Sequence, residues 1–327
     1  MMMQKKINEP LTLGVDIGGT KVNVALVDAK GNLLHVNHSL IQVSKKPEKI
    51  ITDLYSGVEN CLNKTGLEAE ALGVGVAAQV DWNGVVHASP SLGWKNFPLK
   101  KELGKLFSFP VLVTNDVRAA TWGEWLYGAG KGVNDLVVLF VGTGVGGGVI
   151  SSGEVLSGHS NFGGELGHTT LVYDGRQCRC PNRGCLEAYA GGWAIAERAQ
   201  KAIRAAPEKG AFLVSLAGSI EQVSSVTVGR AYHQGDFLAS KLVEETGRFL
   251  AAGVVSLVNV FNPCVLILGG GVVEGIPELI QIVKEVVPTL ALESAVKELK
   301  IVKAVLGANA GAVGAAVLAR KLIHYAR

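Results

Sequence analysis

The chain has 327 residues, of which 48% are hydrophobic and 18% charged, enough apolar material for a core and too much for a disordered chain. Its net charge is only +3 with no basic run, so nothing marks a surface for nucleic acid or anionic lipid. Glycine is the outlier: 42 residues against a usual share of ~7%, clustered at Gly18-Gly19, Gly142 to Gly148, Gly163-Gly164 and Gly269 to Gly271. With no Gly-X-Y period, such clusters are expected where backbone approaches something closely.

The opening MMMQKKINEP has two lysines but no apolar stretch behind them, so no export signal is expected. Leu11 to Asp16 reads as a strand, and Lys21 to Asp28 alternates apolar and polar like a second, with IGGT as the turn. Gly31-Asn32 suggests another hairpin, into Leu33 to Val43. Pro47 to Thr65 has apolar residues at helical spacing, and Leu72 to Ala78 and Val111 to Thr114 read as strands. Asp135 to Val141 is a further strand, followed by a glycine turn GTGVGGG and a return strand from Val149. Ala194 to Ala206, Ala239 to Phe261 and Ala310 to Tyr325 read as helices. Phe249 to Val273 is uncharged, but Asn259, Asn262, Pro263 and its glycines break a membrane span. The pattern predicts a buried helix to Phe261, an Asn-Pro turn and a buried strand, Cys264 to Leu268. A cytoplasmic protein is expected.

LGVDIGGTKVNVALVD and VLFVGTGVGGGVIS look like two copies of one strand–turn–strand unit, about a domain apart. The alternative is two unrelated glycine hairpins. A duplication predicts an α/β fold of two domains with a cleft between them, the last helix folding back on the first domain. The expected boundaries are 1–115 plus 310–327 for one domain and 116–309 for the other.

Four local patterns carry chemistry. In Asp16-Ile17-Gly18-Gly19-Thr20-Lys21, two glycines let N–H groups turn onto phosphate oxygens. Thr20 and Lys21 add donors, and Asp16 can hold hydrated Mg²⁺. A plain hairpin reads equally well. It is neither a P-loop nor a Rossmann fingerprint. Gly142-Thr143-Gly144-Val145-Gly146-Gly147-Gly148 spends five glycines in seven positions, as a phosphate cradle would, with close strand packing as the alternative. Asn115-Asp116 ends an apolar strand with an amide and a carboxylate, but on local sequence the pair reads best as a helix N-cap. Lastly, His168 followed by Cys178, Cys180 and Cys185 has the spacing of a closed tetrahedral zinc site, reduced structural thiols being the alternative.

Together these segments resemble the ROK family (repressors, uncharacterised reading frames and sugar kinases) across essentially the whole chain. DIGGTK at 16–21 is similar to the family's first phosphate loop, GTGVGGG at 142–148 to its second, and GELGH at 164–168 with CRCPNRGCLE at 178–187 to its signature and zinc loop. The resemblance implies a two-domain actin-like ATPase fold (a duplicated ribonuclease H-like α/β unit) and an ATP- and Mg²⁺-dependent hexose kinase with structural Zn²⁺. It also implies a homodimer. By the same resemblance Asp116 is the base for the sugar 6-hydroxyl, Asn96 and Asn115 hold ring hydroxyls, and Glu165, His168 and Glu187 bind the anomeric side. Gly269, Gly270 and Gly271 resemble the loop that passes the adenosine. Pro181 stands where the family's zinc loop has its first glycine, so that turn is expected to differ locally. GWKNFPL and the zinc loop resemble the family's glucokinases, which favours glucose over N-acetylglucosamine, N-acetylmannosamine, fructose or allose. A sugar-responsive repressor and a polyphosphate-dependent kinase are the remaining rivals. About ten residues before the first strand leave no room for a DNA-binding helix pair, and no Lys/Arg cluster suggests a polyphosphate track.

Overall fold

A computed structural model describes residues 10–41 and 45–325. Three stretches named above therefore lie outside the described residues: the first nine positions, residues 42–43 of the expected third strand and the last two residues. The chain separates into two compact units.

The first unit opens with β1 (Thr12–Ile17), β2 (Lys21–Val27) and β3 (Leu33–Leu40), a meander of antiparallel strands. The helix α1 (Pro47–Thr65) has the expected limits: proline starts it, and Gly66, in the left-handed conformation, ends it. β4 (Ala71–Val76) then pairs parallel with β1. A small sheet follows, with β5 (Gln79–Val80), β6 (Val86–Ser89) and β7 (Trp94–Phe97). After the short helix α2 (Leu99–Leu103), β8 (Val111–Asn115) pairs parallel with β4 and runs into α3 (Asp116–Tyr127). The main sheet has the order β3-β2-β1-β4-β8.

The second unit repeats this plan. β9 (Leu136–Val141), β10 (Val145–Ser151) and β11 (Glu154–Val155) form an antiparallel meander. The helices α4 (Glu187–Ala190), α5 (Gly192–Ala205), α6 (Pro207–Ala217), α7 (Ser225–Tyr232) and α8 (Phe237–Phe261) come next. Asn262 ends α8 in the left-handed conformation, which is the expected Asn-Pro turn. β12 (Val265–Gly269), α9 (Gly271–Gly275), α10 (Glu278–Leu290), α11 (Glu293–Val296) and β13 (Lys300–Lys303) complete the unit, with sheet order β11-β10-β9-β12-β13. Two antiparallel pairings followed by two parallel ones occur in both sheets. That shared order is the duplication read from the two glycine motifs.

The chain then returns to the first unit as α12 (Ala310–Tyr325), which packs on β1, β4 and α3. The fit depends on small residues. A Cβ on Gly14 of β1 or Gly73 of β4 would overlap the α12 backbone at Ala312 and Ala315. Helix and sheet are thus closer than ordinary side chains allow. Gly73→Ala is expected to destabilise the unit by about 1–3 kcal/mol, read as a lower urea midpoint, since backbone must move to admit the methyl. An unchanged midpoint would mean that α12 is held loosely.

The first unit comprises the described residues up to Gly132, Ser157–Gly163, and those from Val305 onward. It thus extends beyond residue 115, where the boundary was expected, because α3 packs on α12 through Gly123 and Gly314. Among the described residues no helix is long and apolar enough to cross a membrane.

Candidate active site

In the first unit the three parallel strands end together. Ile17 of β1 pairs with Val76 of β4, which pairs with Asn115 of β8, so Asp16, the Gly18-Gly19 turn and Asp116 share one carboxyl edge. Ligands of α/β sheets bind at such edges. The turn is closed by the Gly18 N–H donating to the Lys21 carbonyl at 3.0 Å. Neither glycine has positive φ, so hairpin geometry does not demand them. Among the described residues no protein acceptor takes the N–H of Gly19 or Thr20.

Asp16 is half-buried, and a Cβ on Gly311 in the first turn of α12 would lie 2.8 Å from its carboxyl carbon. Burial pushes its pKa from the ordinary value near 3.8 to about 6, with Lys21 partly opposing. A carboxyl raised in this way costs nothing below about pH 4 and its full penalty above about pH 6, because the folded state holds the proton longer. That gap is worth at most about 3 kcal/mol. Asp16→Asn is therefore expected to raise the melting temperature near pH 7.5 and to leave it unchanged near pH 4, in protein free of nucleotide and metal. A lower melting temperature near pH 7.5 would contradict this origin of the shift.

Asn115 is the N-cap of α3: its side-chain oxygen accepts the Arg118 N–H at 2.9 Å. Its amide nitrogen donates to the Ala78 carbonyl and to Asp116 Oδ1, both at 3.1 Å. The local cap reading therefore holds for Asn115, and the same amide fixes the carboxylate beside it. Asp116 is the first residue of α3, where the helix dipole favours negative charge. Asn96 lies on β7, exposed and with φ 48°, a conformation asparagine tolerates better than most residues.

In the second unit the turn is shorter than expected. Only Gly142-Thr143-Gly144 forms it, while Gly146, Gly147 and Gly148 lie inside β10, paired with Phe140, Leu139 and Val138. Gly147 is small for packing: a Cβ there would lie 2.6 Å from Leu166 Cδ1 and from the Val138 carbonyl. Among the described residues the N–H groups of Thr143 and Gly144 have no protein acceptor, whereas the carbonyls of Gly142 and Thr143 take the N–H of Gly192 and Trp193 at 2.9 and 3.0 Å. Gly269, Gly270 and Gly271 lie beside this turn, since Gly269 pairs with Phe140 and a Cβ on Gly270 would meet the Val141 backbone. Gly270 has φ 91° and caps α9. Glu187, at the start of α4, accepts the Val145 N–H at 2.9 Å and the Trp193 Nε1–H at 3.1 Å. Glu165 is exposed and precedes a 3₁₀ turn, Leu166–His168.

That turn directs His168 Nδ1 at Cys178 Sγ, 3.7 Å away, and Cys180 Sγ lies 3.6 Å from Cys185 Sγ. All four ligand atoms fall within 4.8 Å of one another. A tetrahedron with Zn–S bonds of ~2.3 Å has edges of ~3.8 Å, so the donor set fits zinc in number, chemistry and size. Asn182 Nδ2 donates to Cys185 Sγ at 3.4 Å and to Thr170 Oγ1 at 2.9 Å, bracing the loop. With Pro181 in the turn, the ligands still converge, because the Cys178 N–H closes onto the Asn182 carbonyl at 3.2 Å.

A family model described as "ROK family" matches residues 12–322. The chain belongs to the ROK family. A glucokinase of Streptomyces coelicolor is 36% identical over 314 residues, covering 95% of this chain and 98% of that protein. The solved structure of a ROK family glucokinase from Streptomyces griseus, in complex with glucose and AMPPNP, superposes with a TM-score of 0.84 at 34% identity, over 95% of this chain and 99% of that one. A xylose repressor of Bacillus spizizenii is 27% identical over 93% of this chain but only 75% of its own length. The ROK fold here is the duplicated actin-like ATPase fold expected from the sequence.

Some residues of this ROK chain escaped sequence reasoning. Glu124 is fully buried in α3, where its carboxylate accepts the N–H groups of Ala129, Val305 and Leu306 at 2.8 to 3.2 Å. Nothing near Glu124 in sequence signals such partners. Arg118 and Asn161 hold Ser157–Gly163 on the first unit: Arg118 donates to Asn161 and, at 2.8 Å, to the Gly163 carbonyl, and Asn161 donates to the Val80 carbonyl at 3.1 Å. Trp193 is missed too, since its partner Glu187 lies across a helix break at Gly191.

Proposed function

We propose that this chain transfers the terminal phosphoryl group of ATP to the 6-hydroxyl of glucose. Its kinship to glucokinases over nearly its full length supports this reading, and the Asn115–Asp116 pair at the carboxyl edge carries it. Phosphoryl transfer asks mainly for positioning and charge neutralisation. Asp116 receives the 6-hydroxyl proton as the oxygen attacks, and the Asn115 amide holds Asp116 in place for it. Both N–H groups of Asn115 are spent on Ala78 and Asp116, so toward a sugar hydroxyl Asn115 offers only its oxygen. Asn96 contributes a further amide. In the second unit Glu165 and Glu187 accept sugar hydroxyls, while His168, whose Nδ1 faces the thiols, donates its Nε2–H to a sugar oxygen.

The N–H groups of Gly19, Thr20, Thr143 and Gly144 would grip phosphate oxygens, with Lys21 adding charge and Gly269 to Gly271 passing the nucleoside. Asp16 would hold Mg²⁺, which supplies charge neutralisation on the phosphates; a raised carboxyl pKa suits a group awaiting a cation. Zn²⁺ on His168, Cys178, Cys180 and Cys185 would be structural, since four protein ligands leave no open position. The working form is a homodimer in the cytoplasm, so light scattering should return about twice the chain mass of 34.2 kDa.

The deciding experiment is a coupled ADP-release assay with glucose, mannose, fructose, N-acetylglucosamine and N-acetylmannosamine, repeated with polyphosphate as donor. Glucose with ATP should give the highest kcat/KM. A higher value for an N-acetyl sugar would overturn the substrate, and a higher value with polyphosphate would overturn the donor.

A further inference from the structure

The Glu187 carboxylate is pinned at both oxygens. Oε2 accepts the Val145 N–H at 2.9 Å, next to the Gly142–Gly144 turn, and Oε1 accepts the indole N–H of Trp193 at 3.1 Å. A Cβ on Gly144 would overlap Oε2, so this carboxylate is fitted against the turn itself. Trp193 is held on two further sides. Its backbone N–H donates to the Thr143 carbonyl at 3.0 Å, and the Arg179 guanidinium stacks on its ring, 4.7 Å from the centroid. Arg179 lies between Cys178 and Cys180, two of the four clustered ligands. A continuous line of contacts therefore runs from the metal loop through Arg179 and Trp193 to Glu187 and on to the glycine turn.

We infer that Trp193 is a positioning residue for hexose binding: its indole N–H sets the plane of the Glu187 carboxylate, and Arg179 holds the indole so that it can. The inference rests on the reading of Glu187 as a hexose ligand. An ionised carboxylate has about four acceptor sites, and two are taken by Val145 and Trp193, one per oxygen. The sites that remain have a fixed direction, suited to a pair of sugar hydroxyls. Without the indole donor the carboxylate keeps one tether and swings about it, and hexose affinity falls. The Val145 tether and the glycine turn stay, so nucleotide binding does not change.

Trp193→Phe keeps the ring and its stack on Arg179 and removes only the donor. Losing a hydrogen bond to a charged group is expected to weaken glucose binding by about 5- to 50-fold, measured calorimetrically without nucleotide. The glucose KM should rise by a similar factor, while kcat and the KM for ATP stay within about threefold. Arg179→Ala should lower glucose affinity by a smaller factor while metal content remains that of the wild type. Unchanged glucose affinity in Trp193→Phe would overturn the inference, because a ring that only fills space would leave binding intact. So would equal losses for glucose and ATP, which would mark a general distortion. Glu187→Gln separates this inference from the reading beneath it. If that variant binds glucose normally, Glu187 is no hexose ligand and the reading fails. If it loses glucose while Trp193→Phe does not, only the positioning role fails.

Discussion

Asp116→Asn is expected to lower kcat by about 10²- to 10⁴-fold, the usual cost of removing a general base. The replacement matches the carboxylate in shape, and its side-chain oxygen can still accept from Asn115, so the start of α3 should keep its structure. Glucose affinity should stay within about threefold of wild type and the melting temperature within a few degrees. The contrast between intact binding and lost turnover is the signature of a group that acts on the reacting proton. Near-normal kcat in a folded Asp116→Asn variant would reduce Asp116 to part of a helix start, which is how the pair reads on local sequence.

Cys180→Ser should act on a different step, the binding of the hexose. Cys180 is the most exposed of the three clustered thiols, so the exchange alters little packing and mainly removes one of the four ligands proposed for zinc. Binding of structural zinc is worth about 10–16 kcal/mol where it drives folding, so its loss is expected to melt the loop around it. Elemental analysis should find one zinc per wild-type chain and none in the variant. Glucose affinity should drop by more than about tenfold, because His168 and Glu187 sit on the loops that zinc would gather, while ATP binding should persist. A metal-free wild-type chain, or a metal-free variant with normal glucose affinity, would refute this role.

The parts of the fold that were legible are those written in short-range chemistry. Apolar residues at helical spacing gave α1 its limits, Pro47 to Thr65, and Asn262-Pro263 gave the end of α8. The four clustered ligands were legible because CxC and a third cysteine share one loop. What stayed hidden depends on contacts between distant residues. Gly147 reads as turn until Leu166, nearly twenty positions on, is seen to fill the space above it. The extension of the first unit to Gly132 depends on α3 meeting α12 through Gly123 and Gly314. β5, β6 and β7 are two to four residues each, too short for alternation to register. The Glu187–Trp193 bond spans a helix break, where no periodic rule applies.

The seat of α12 on Gly14 and Gly73 has a consequence for how the chain is made. Translation runs from N to C, so the second unit, complete once β13 is synthesised, is available to fold before α12 exists. The first unit has to wait. Its sheet emerges early, yet the face carrying Gly14 and Gly73 stays uncovered until residues 310–325 leave the ribosome. During that interval apolar strands with unshielded glycines are the segment most open to wrong pairing. Chains interrupted before Ala310 should accordingly be those that recruit chaperones and aggregate, while the second unit within them is already protected from protease.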